Sequence, residues 1–479
     1  MATCLAALTT TALVFSPLTP PRPAVAHRSS GASIASAAAS AAASPEEAAY
    51  LRGLEAIELP AGFRVGVSGF RFEPVELEGG ATAVMNLTLI ALDEPTSDWA
   101  GVFTKNRFPG SPVLVGRERV AAGAALQAVV VNNKISNVCS AGDGVAASEA
   151  VCRGAAEVLG LDGGAAAVLP LSTGVIGWQL PVPQMLEALP AAAAALDRGS
   201  ALPAARSIMT TDRFPKLRRV SACGGTLVGF AKGAGMIEPD MATMLAFVLT
   251  DVPMAREQLQ PMLKRAADAS FNCASVDADQ STSDSLVCLS SGAAGPPPEG
   301  AEGAAAAEFE RALTALCEQL AEDVVRNGEG TSHVIRVRVS GAPTVDLARA
   351  VGKAVVNSPL FKSAVAGNDP NVGRLVSAVG SYLGRAAPEL PLEECTMRMG
   401  GRTIFGQRAF RIDAATEDAL HAHLLEGRLT SADGESLPYP PHERCVEVEV
   451  DLAAGDAACT VHGSDLTHEY VSINADYRS

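Results

Sequence analysis

The stretch KGAGMIEPDMATMLAFVLTD, from Lys232 to Asp251, joins two unlike halves. Its first half carries two glycines and a Pro-Asp pair, which are typical of a constrained loop. Its second half is an apolar run that is typical of a buried strand. A single hydroxyl side chain, Thr243, stands at the junction. From these residues alone, a glycine-rich turn that leads into the core is one interpretation, and a chemical role for Thr243 is the other.

The chemical role of Thr243 would require a base beside its hydroxyl, because a threonine hydroxyl is otherwise a weak nucleophile. The α-amine of an N-terminal threonine is such a base, since its pKa of about 7.7–8.0 lets it accept and return a proton near neutral pH. Thr243 gains that amine only if the bond after Ala242 is cut. Gly233 and Gly235 allow unusual backbone angles, and Ala242 leaves little bulk at the scissile carbonyl. Self-cleavage between Ala242 and Thr243 is therefore a hypothesis.

Length and charge limit the class of protein. The chain has 479 residues, too many for one ordinary hydrophobic core, so more than one core is expected. Its formal charge is −16, and no block of Lys and Arg interrupts the acidic balance. This distribution argues against nucleic acid or an anionic membrane as partner and favours a small-molecule ligand. After the N-terminal residues, no segment is apolar for the roughly 20 residues that a membrane helix needs.

The cysteines and histidines indicate neither a disulfide framework nor a metal site. The ten cysteines are scattered singly and form no Cys-x-x-Cys pair. Among the seven histidines, His421 and His423 are two residues apart and would point to different faces of a helix. We therefore predict reduced thiols in a reducing compartment and no structural zinc.

Residues 1–45 differ in composition from the rest of the chain. Ala, Ser, Thr and Pro dominate there, and no acidic residue occurs before Glu46. Such a composition is typical of an organelle transit peptide. A secretory signal is the alternative, because CLAALTTTALVF from Cys4 resembles an apolar core, but a basic start is missing and the cysteines are unpaired. We predict a transit peptide for the chloroplast, with the mitochondrion as second choice.

Strand-like runs alternate with helical stretches in the rest of the chain, which predicts an α+β layered fold. The strand-like runs are LQAVVV, AAAVLPL, LAFVLTDV, HVIRVRVSG and CVEVEVDL. Apolar residues recur at helical spacing from Phe309 to Val324, which predicts a helix from Ala304 to Val325. The Gly-, Ala- and Pro-rich residues at about 291–307 predict a low-complexity surface insertion before that helix.

Several further motifs follow one another along nearly all of the chain after residue 45. They are AGVFTKNRFPGSPV from Ala100, STGVIGWQLP from Ser172, IMTTDRFPK from Ile208, VDADQSTSD from Val276, GEGTSH from Gly328, GNDPNVGR from Gly367 and the ending YVSINADYRS. Together with the stretch from Lys232, they resemble the ornithine acetyltransferases, or glutamate N-acetyltransferases, of the arginine-biosynthesis ArgJ family. The family signature has Ser and Asn where this chain has Ala234 and Asp240. So many ordered matches are more specific than any one of them.

The resemblance implies roles for individual residues. Thr243 would be freed by autoproteolysis and would carry the acetyl group, while Thr173 and Gly174 would form the oxyanion hole. A hydroxyl and a backbone N–H can both donate to a developing oxyanion. The substrate-binding positions that carry over are Thr210, Lys232, Thr243, Glu329, Asn474 and Ser479. Thr211 is the alternative to Thr210, and Ser479 stands where the family usually ends in threonine.

The resemblance also implies a function and an assembly. The function is transfer of an acetyl group from N-acetylornithine to glutamate, without a metal or an organic cofactor. Some family members also use acetyl-CoA as a substrate, and the sequence leaves that activity open. The fold is a layered αββα sandwich of the self-processing DmpA/ArgJ-like type. Cleavage gives an alpha chain, residues 46–242, and a beta chain, residues 243–479, which usually pair as a heterotetramer of two each.

Two other functions stay open. A self-cleaving N-terminal-nucleophile amidohydrolase or aminopeptidase would share the nucleophile but release its acyl group to water. A non-enzymatic amino-acid-binding sensor would bind its ligand without any cut in the chain. A product assay separates the first function from an acetyltransferase, and a denaturing gel separates the second.

Self-cleavage predicts two polypeptides in the purified protein, the second of them beginning at Thr243. The variant Thr243→Ala should remain one chain and lack activity, because the substitution removes the hydroxyl nucleophile. A denaturing gel and N-terminal sequencing of each band measure the outcome. A wild-type protein that is fully active while uncut would rule the mechanism out.

Overall fold

Strands and helices alternate along the described part of the chain. The structure is a computed structural model, and it describes residues 45–77, 79–238, 244–296, 302–429 and 444–475. Its strands are β1 (Phe63–Phe72), β2 (Ala83–Thr96), β3 (Trp99–Phe103), β4 (Leu126–Asn132), β5 (Val168–Ser172), β6 (Lys216–Ala222), β7 (Gly225–Lys232), β8 (Leu245–Thr250), β9 (Ala274–Ser275), β10 (Ser285–Ser290), β11 (Val334–Ala342), β12 (Thr396–Met399), β13 (Arg402–Gly406), β14 (Ala409–Phe410), β15 (Val446–Asp451) and β16 (Ala457–Ser464).

The α-helices of the same ranges connect these strands. They are α1 (Pro45–Glu55), α2 (Ser111–Ala122), α3 (Gly144–Leu159), α4 (Val182–Ala194), α5 (Leu202–Ser207), α6 (Arg256–Ala269), α7 (Glu302–Arg326), α8 (Val345–Val356), α9 (Pro359–Ala366), α10 (Val372–Ala386), α11 (Ala414–Glu426) and α12 (His468–Ala475). The strands and the long helix that the sequence predicts are all present. Because α7 begins at Glu302, its first turns include residues that composition assigns to the insertion at 291–307, of which 297–301 lie outside the described residues.

Two sheets packed face to face form the centre of the fold. One has the strand order β1-β2-β4-β5, and the other has the order β3-β10-β8-β7-β6. Side chains alternate between the two faces of a strand, so each sheet has one face for its partner sheet. Apolar side chains such as Val129, Phe230 and Phe247 fill the space between the sheets.

Helices cover the outer faces of both central sheets. The apolar faces of α3 and α4 pack on the sheet that contains β4. On the other side, α6 and α7 pack on the sheet that contains β8. The result is four layers in the order helix, sheet, sheet, helix. This architecture confirms the predicted α+β fold of the αββα sandwich type.

A third sheet has a core of its own. It contains seven strands in the order β14-β13-β12-β15-β11-β16-β9, and helices α8 to α11 contribute to the same hydrophobic cluster. Residues Pro45–Ser479 nevertheless form one compact unit. Several cores therefore share one body, as the length of the chain predicts. In the described ranges, no helix is both long and apolar enough to cross a membrane.

The rings of Phe230 and Phe247 pack together between the central sheets, so a substitution there tests the packing. Their rings stack with centroids 5.0 Å apart, and both side chains are fully buried. Phe247→Ala should lower the free energy of unfolding by about 3–5 kcal/mol, because it removes a ring and leaves a cavity. Denaturant unfolding measures the change. Phe108, whose side chain is 69% exposed, provides the control: Phe108→Ala should cost less than about 0.5 kcal/mol. Equal losses in both variants would contradict this account of the core.

Candidate active site

A cavity of about 270 Å³ collects most of the residues that the sequence singles out. The predicted residues in its wall are Thr173, Gly174, Thr210, Lys232, Glu329 and Asn474. Thr211 also lines the cavity, so both members of the uncertain threonine pair face it. Ala242, Thr243 and Ser479 lie outside the described residues. Met244, the residue that follows Thr243 in the chain, lines the cavity as well.

The strand ends explain why residues so distant in sequence meet. Lys232 ends β7 and pairs with Leu245, the first residue of β8. Strand β8 runs parallel to β10, so Ser285 at the start of β10 lies beside Leu245. The residues that precede β10, from Ser281 to Asp284, therefore reach the same edge and line the cavity. Sequence reasoning did not assign a role to these residues, although the motif VDADQSTSD contains them.

The turn that carries Thr173 is held by the loop after β4. The backbone N–H of Thr173 donates to the Asn132 carbonyl at 3.1 Å, and that of Val175 donates to the Lys134 carbonyl at 2.9 Å. The Ser136 hydroxyl donates to the carbonyl of the next residue in the turn, Gly174, at 2.5 Å. This loop belongs to the segment NNKISNVCS, from Asn132 to Ser140. Its role is to fix the backbone of the predicted oxyanion hole.

Gly174 has a conformation that only glycine adopts readily. Its φ is 123°, in the region that side chains disfavour, and a Cβ atom there would collide with the Lys134 carbonyl group. The Gly174 N–H donates to no acceptor among the described residues. This free donor sits next to the hydroxyl of Thr173 in the cavity wall. The pair thus has the donor types that an oxyanion hole needs.

The side chain of Lys232 contacts the Thr173 hydroxyl. Its Nζ atom donates to the Thr173 Oγ1 atom at 3.1 Å, and its side chain is buried. Burial lowers the pKa of Lys232, whereas the negative charges of Asp212, Glu329 and Asp284 raise it. The charge of Lys216 lowers that pKa further, and the net direction is downward from the ordinary value. Lys232 thus lies in a low-dielectric site with three carboxylates around it.

Asp212 is another residue that sequence reasoning missed, although the quoted motif IMTTDRFPK contains it. Its carboxylate forms an ion pair with Lys216, and both side chains are fully shielded from solvent. It also accepts hydrogen bonds from the backbone N–H of Gly233 at 2.7 Å and of Thr210 at 2.9 Å. Burial would raise the pKa of the Asp212 carboxyl, but the charges of Lys216 and Lys232 and the Gly233 N–H hold it well below its ordinary value.

Glu329 and Asn474 form a second polar pair in the wall. The Asn474 amide donates to the Glu329 carboxylate at 2.7 Å, and the Glu329 N–H donates to the Ala234 carbonyl at 2.9 Å. Gly235 permits this approach, because a Cβ atom there would overlap the Glu329 carboxylate. Glu329 and Asn474 therefore come together in the cavity wall.

Helix α12 brings Asn474 to the cavity and is itself anchored by Tyr470. The Tyr470 hydroxyl donates to the Asp277 carboxylate at 3.2 Å. The same carboxylate accepts from the backbone N–H groups of Met236 at 2.7 Å and Ile237 at 2.8 Å. Burial and the charge of Asp277 raise the pKa of the Tyr470 hydroxyl, so the phenol stays a donor. The C-terminal helix is thus tied to the segment that follows Lys232.

The chemistry of this cavity suits acyl transfer. A hydroxyl and a free N–H stand side by side, the buried amino group of Lys232 adjoins them, and a carboxylate lies in the same wall. Among the described residues, no group of three or more His, Cys, Asp or Glu side chains is arranged to hold a metal ion. The fold and the cavity together define a layered αββα protein with a sheltered site for a small polar molecule.

The chain belongs to the ArgJ family, whose profile matches residues 76–479. It is 41% identical over 418 residues to the arginine biosynthesis bifunctional protein ArgJ of Nitratidesulfovibrio vulgaris, covering 86% of this chain and 98% of that protein. It is 40% identical over 399 residues to the glutamate N-acetyltransferase Oat2 of Streptomyces clavuligerus, covering 82% and 93%. The crystal structure of ArgJ from Bacillus halodurans is 31% identical and matches with a TM-score of 0.40, covering 48% of this chain and 97% of that one.

The turn at Gly174 has no space for a Cβ atom beside the Lys134 carbonyl group. Gly174→Ala should lower kcat about 100- to 1000-fold, because the added Cβ atom displaces the turn that presents the N–H and hydroxyl donors. Steady-state kinetics of acetyl transfer measure the effect. Gly177→Ala provides the control, because Gly177 also has a positive φ, 90°, but no heavy atom lies within 4 Å of its added Cβ. If both variants lose activity equally, backbone strain and not the donor pair accounts for the loss.

Proposed function

We propose that the protein transfers the acetyl group of N-acetylornithine to glutamate through an acetyl ester on Thr243. The observation that carries the proposal is the single cavity that gathers the positions matching the family's site, from Thr173 to Asn474. Met244 lies in the wall of this cavity, which supports the action of its neighbour Thr243 there. A 40% identical relative bears the name glutamate N-acetyltransferase, which supports glutamate as the acceptor.

In the first half-reaction, the Thr243 hydroxyl attacks the acetyl carbonyl carbon. The free α-amine of Thr243 accepts the hydroxyl proton, and the carbonyl oxygen becomes an oxyanion that the Thr173 hydroxyl and the Gly174 N–H stabilise. The carbon–nitrogen bond then breaks, and the departing amine takes up the proton. The products are ornithine and the acetyl ester of Thr243.

In the second half-reaction, the amine of glutamate attacks the ester carbon. The same donors stabilise the second oxyanion, the α-amine of Thr243 takes the proton from the attacking nitrogen and returns it to the departing Thr243 oxygen, and N-acetylglutamate departs. One amide is broken and one is made, so no external energy source is needed. Lys232 pairs with a substrate carboxylate and Glu329 with a substrate ammonium, and each contact gains strength from its burial.

An acceptor assay tests this function against its alternatives. The enzyme is incubated with N-acetylornithine that carries a labelled acetyl group, with and without glutamate, and labelled N-acetylglutamate and acetate are measured. We expect transfer to glutamate to exceed release of acetate. Acetate as the main product would support the amidohydrolase, and ligand binding without any product would support the sensor. A separate reaction with acetyl-CoA and glutamate decides whether acetyl-CoA is also a donor.

The proposed base predicts the dependence of activity on pH. The Thr243 amine must be neutral before attack, so kcat should fall as the pH drops through the pKa of that amine, around 7–8 before any effect of the environment. Measurement of kcat between about pH 5 and pH 9 locates the acid limb. Activity that stays flat down to about pH 5 would indicate a different base.

We further propose that residues 1–45 direct the protein to the chloroplast stroma, with the mitochondrion as second choice. The support is compositional and comes from the acid-free N-terminus. A fluorescent protein fused behind these residues should accumulate in plastids, and accumulation in mitochondria or in the secretory pathway would contradict the first choice. We also infer that the alpha and beta chains stay together as a heterotetramer of two each, which light scattering of the cut protein would measure.

A further inference from the structure

The hydrogen bond between Lys232 and Thr173 has a fixed direction. In its protonated form Lys232 has three donors and no acceptor, so its Nζ atom donates and the Thr173 oxygen accepts at the observed 3.1 Å. The proton of the Thr173 hydroxyl then points away from Lys232. No acceptor for this proton occurs among the described residues, so it is free to point into the cavity. The hydroxyl is therefore set in the orientation that an oxyanion donor requires.

We propose that Lys232 acts as the positioning residue for Thr173, and that Asp212 holds Lys232 in the place and charge state that this task requires. This inference rests on the proposed acetyl transfer and adds a role for Lys232 beyond pairing with a substrate carboxylate. The two roles are compatible, because one N–H of the ammonium serves Thr173 and the others remain for the substrate.

Asp212 is placed to support Lys232 through the backbone. Its carboxylate accepts from the N–H of Gly233, the residue directly after Lys232, at 2.7 Å. The same carboxylate holds the N–H of Thr210 at 2.9 Å and the ammonium of Lys216. The contacts thus join the end of β7 to the segment before β6. A carboxylate with this many donors has no freedom to turn away from the site.

The charge of Lys232 contributes more than orientation. Hydrogen bonds in a chain polarise one another, and donation from an ammonium to the Thr173 oxygen makes the Thr173 O–H a stronger donor. The gain is largest when the oxyanion forms, because full negative charge exists only near the transition state. Loss of this effect should therefore lower kcat, whereas loss of the substrate carboxylate contact should raise KM.

The sign of the pH dependence follows from the groups that face Lys232. They are Asp212, Glu329 and Asp284, whose charges raise the pKa of the ammonium, and Lys216, whose charge lowers it. Lys232 must be protonated to act, so activity is lost as the pH rises through its pKa. Neutralising Asp212 lowers that pKa and moves the alkaline limb of kcat toward neutral pH.

A double-mutant cycle tests the link between Lys232 and Thr173. Thr173→Val, Lys232→Gln and the double variant are compared in the full-length cut protein. We expect Lys232→Gln to lower kcat by about tenfold or more in the wild type, but by less than about threefold when Thr173 is already Val. The KM for N-acetylornithine should rise similarly in both backgrounds. Equal kcat losses in the two backgrounds would overturn the proposal.

A pH profile tests the part played by Asp212. Asp212→Asn should move the alkaline limb of kcat to lower pH by about one unit or more. Asp251→Asn is the matched control, because Asp251 likewise accepts from a backbone N–H, that of Thr226 at 2.7 Å, but lies at the other end of the same hairpin. An unmoved limb in a folded Asp212→Asn protein would overturn this part. If that variant does not fold, the cycle at Thr173 decides the proposal.

These results stay distinct from a failure of the proposed function. A wild-type protein that transfers no acetyl group to glutamate contradicts the function itself. A wild-type protein that transfers acetyl groups, together with independent effects of Lys232→Gln and Thr173→Val, contradicts only the positioning role.

Discussion

The carboxylate of Asp212 is fully buried, and two donors from its own segment, Thr210 and Lys216, converge on it with a third from the more distant Gly233. A buried carboxylate without partners would be strongly unfavourable, so the segments that carry those donors must stay together for the fold to hold. Lys216 begins β6, Gly233 follows β7, and Thr210 precedes both strands. The need to pair the buried Asp212 carboxylate thus fixes the part of the cavity wall that Thr210 and Lys232 form.

The layered scaffold makes this convergence possible at one edge. The end of β7 and the starts of β8 and β10 are neighbours because β7 is antiparallel to β8, while β8 is parallel to β10. The other central sheet contributes the turn after β5, which the loop after β4 holds through backbone hydrogen bonds. Helices on both outer faces leave the edges of the sheets as the places where polar groups can gather. The site is therefore built from strand ends and loops, which pack against a rigid core.

Sequence alone predicted the layers well, because apolar periodicity is a local signal. The runs LAFVLTDV and CVEVEVDL became β8 and β15, and the apolar residues at helical spacing from Phe309 became part of α7. The cavity residues Lys232, Glu329 and Asn474 were predicted by resemblance of motifs, since their contacts join segments far apart in the chain. Asp212 escaped prediction because its burial depends on Lys216 and Gly233 together. The anchoring loop at Asn132 escaped because two of its contacts with the turn, those of the Asn132 and Lys134 carbonyls, are made by backbone atoms, which carry no sequence signal.

Strand β7 precedes the Ala242–Thr243 bond in the chain and β8 follows it, and the two strands are hydrogen-bonded to each other, with Lys232 paired to Leu245. Asp277 adds two more bonds from the later half of the chain to Met236 and Ile237 in the earlier half. A cut after Ala242 would leave these contacts in place, so the two pieces could separate only by dismantling a central sheet. Before the cut, folding is a unimolecular reaction; after it, refolding would require two polypeptides to find each other at their prevailing concentrations. The cut would therefore make unfolding hard to reverse. The working lifetime of the protein would then be set by its rate of unfolding.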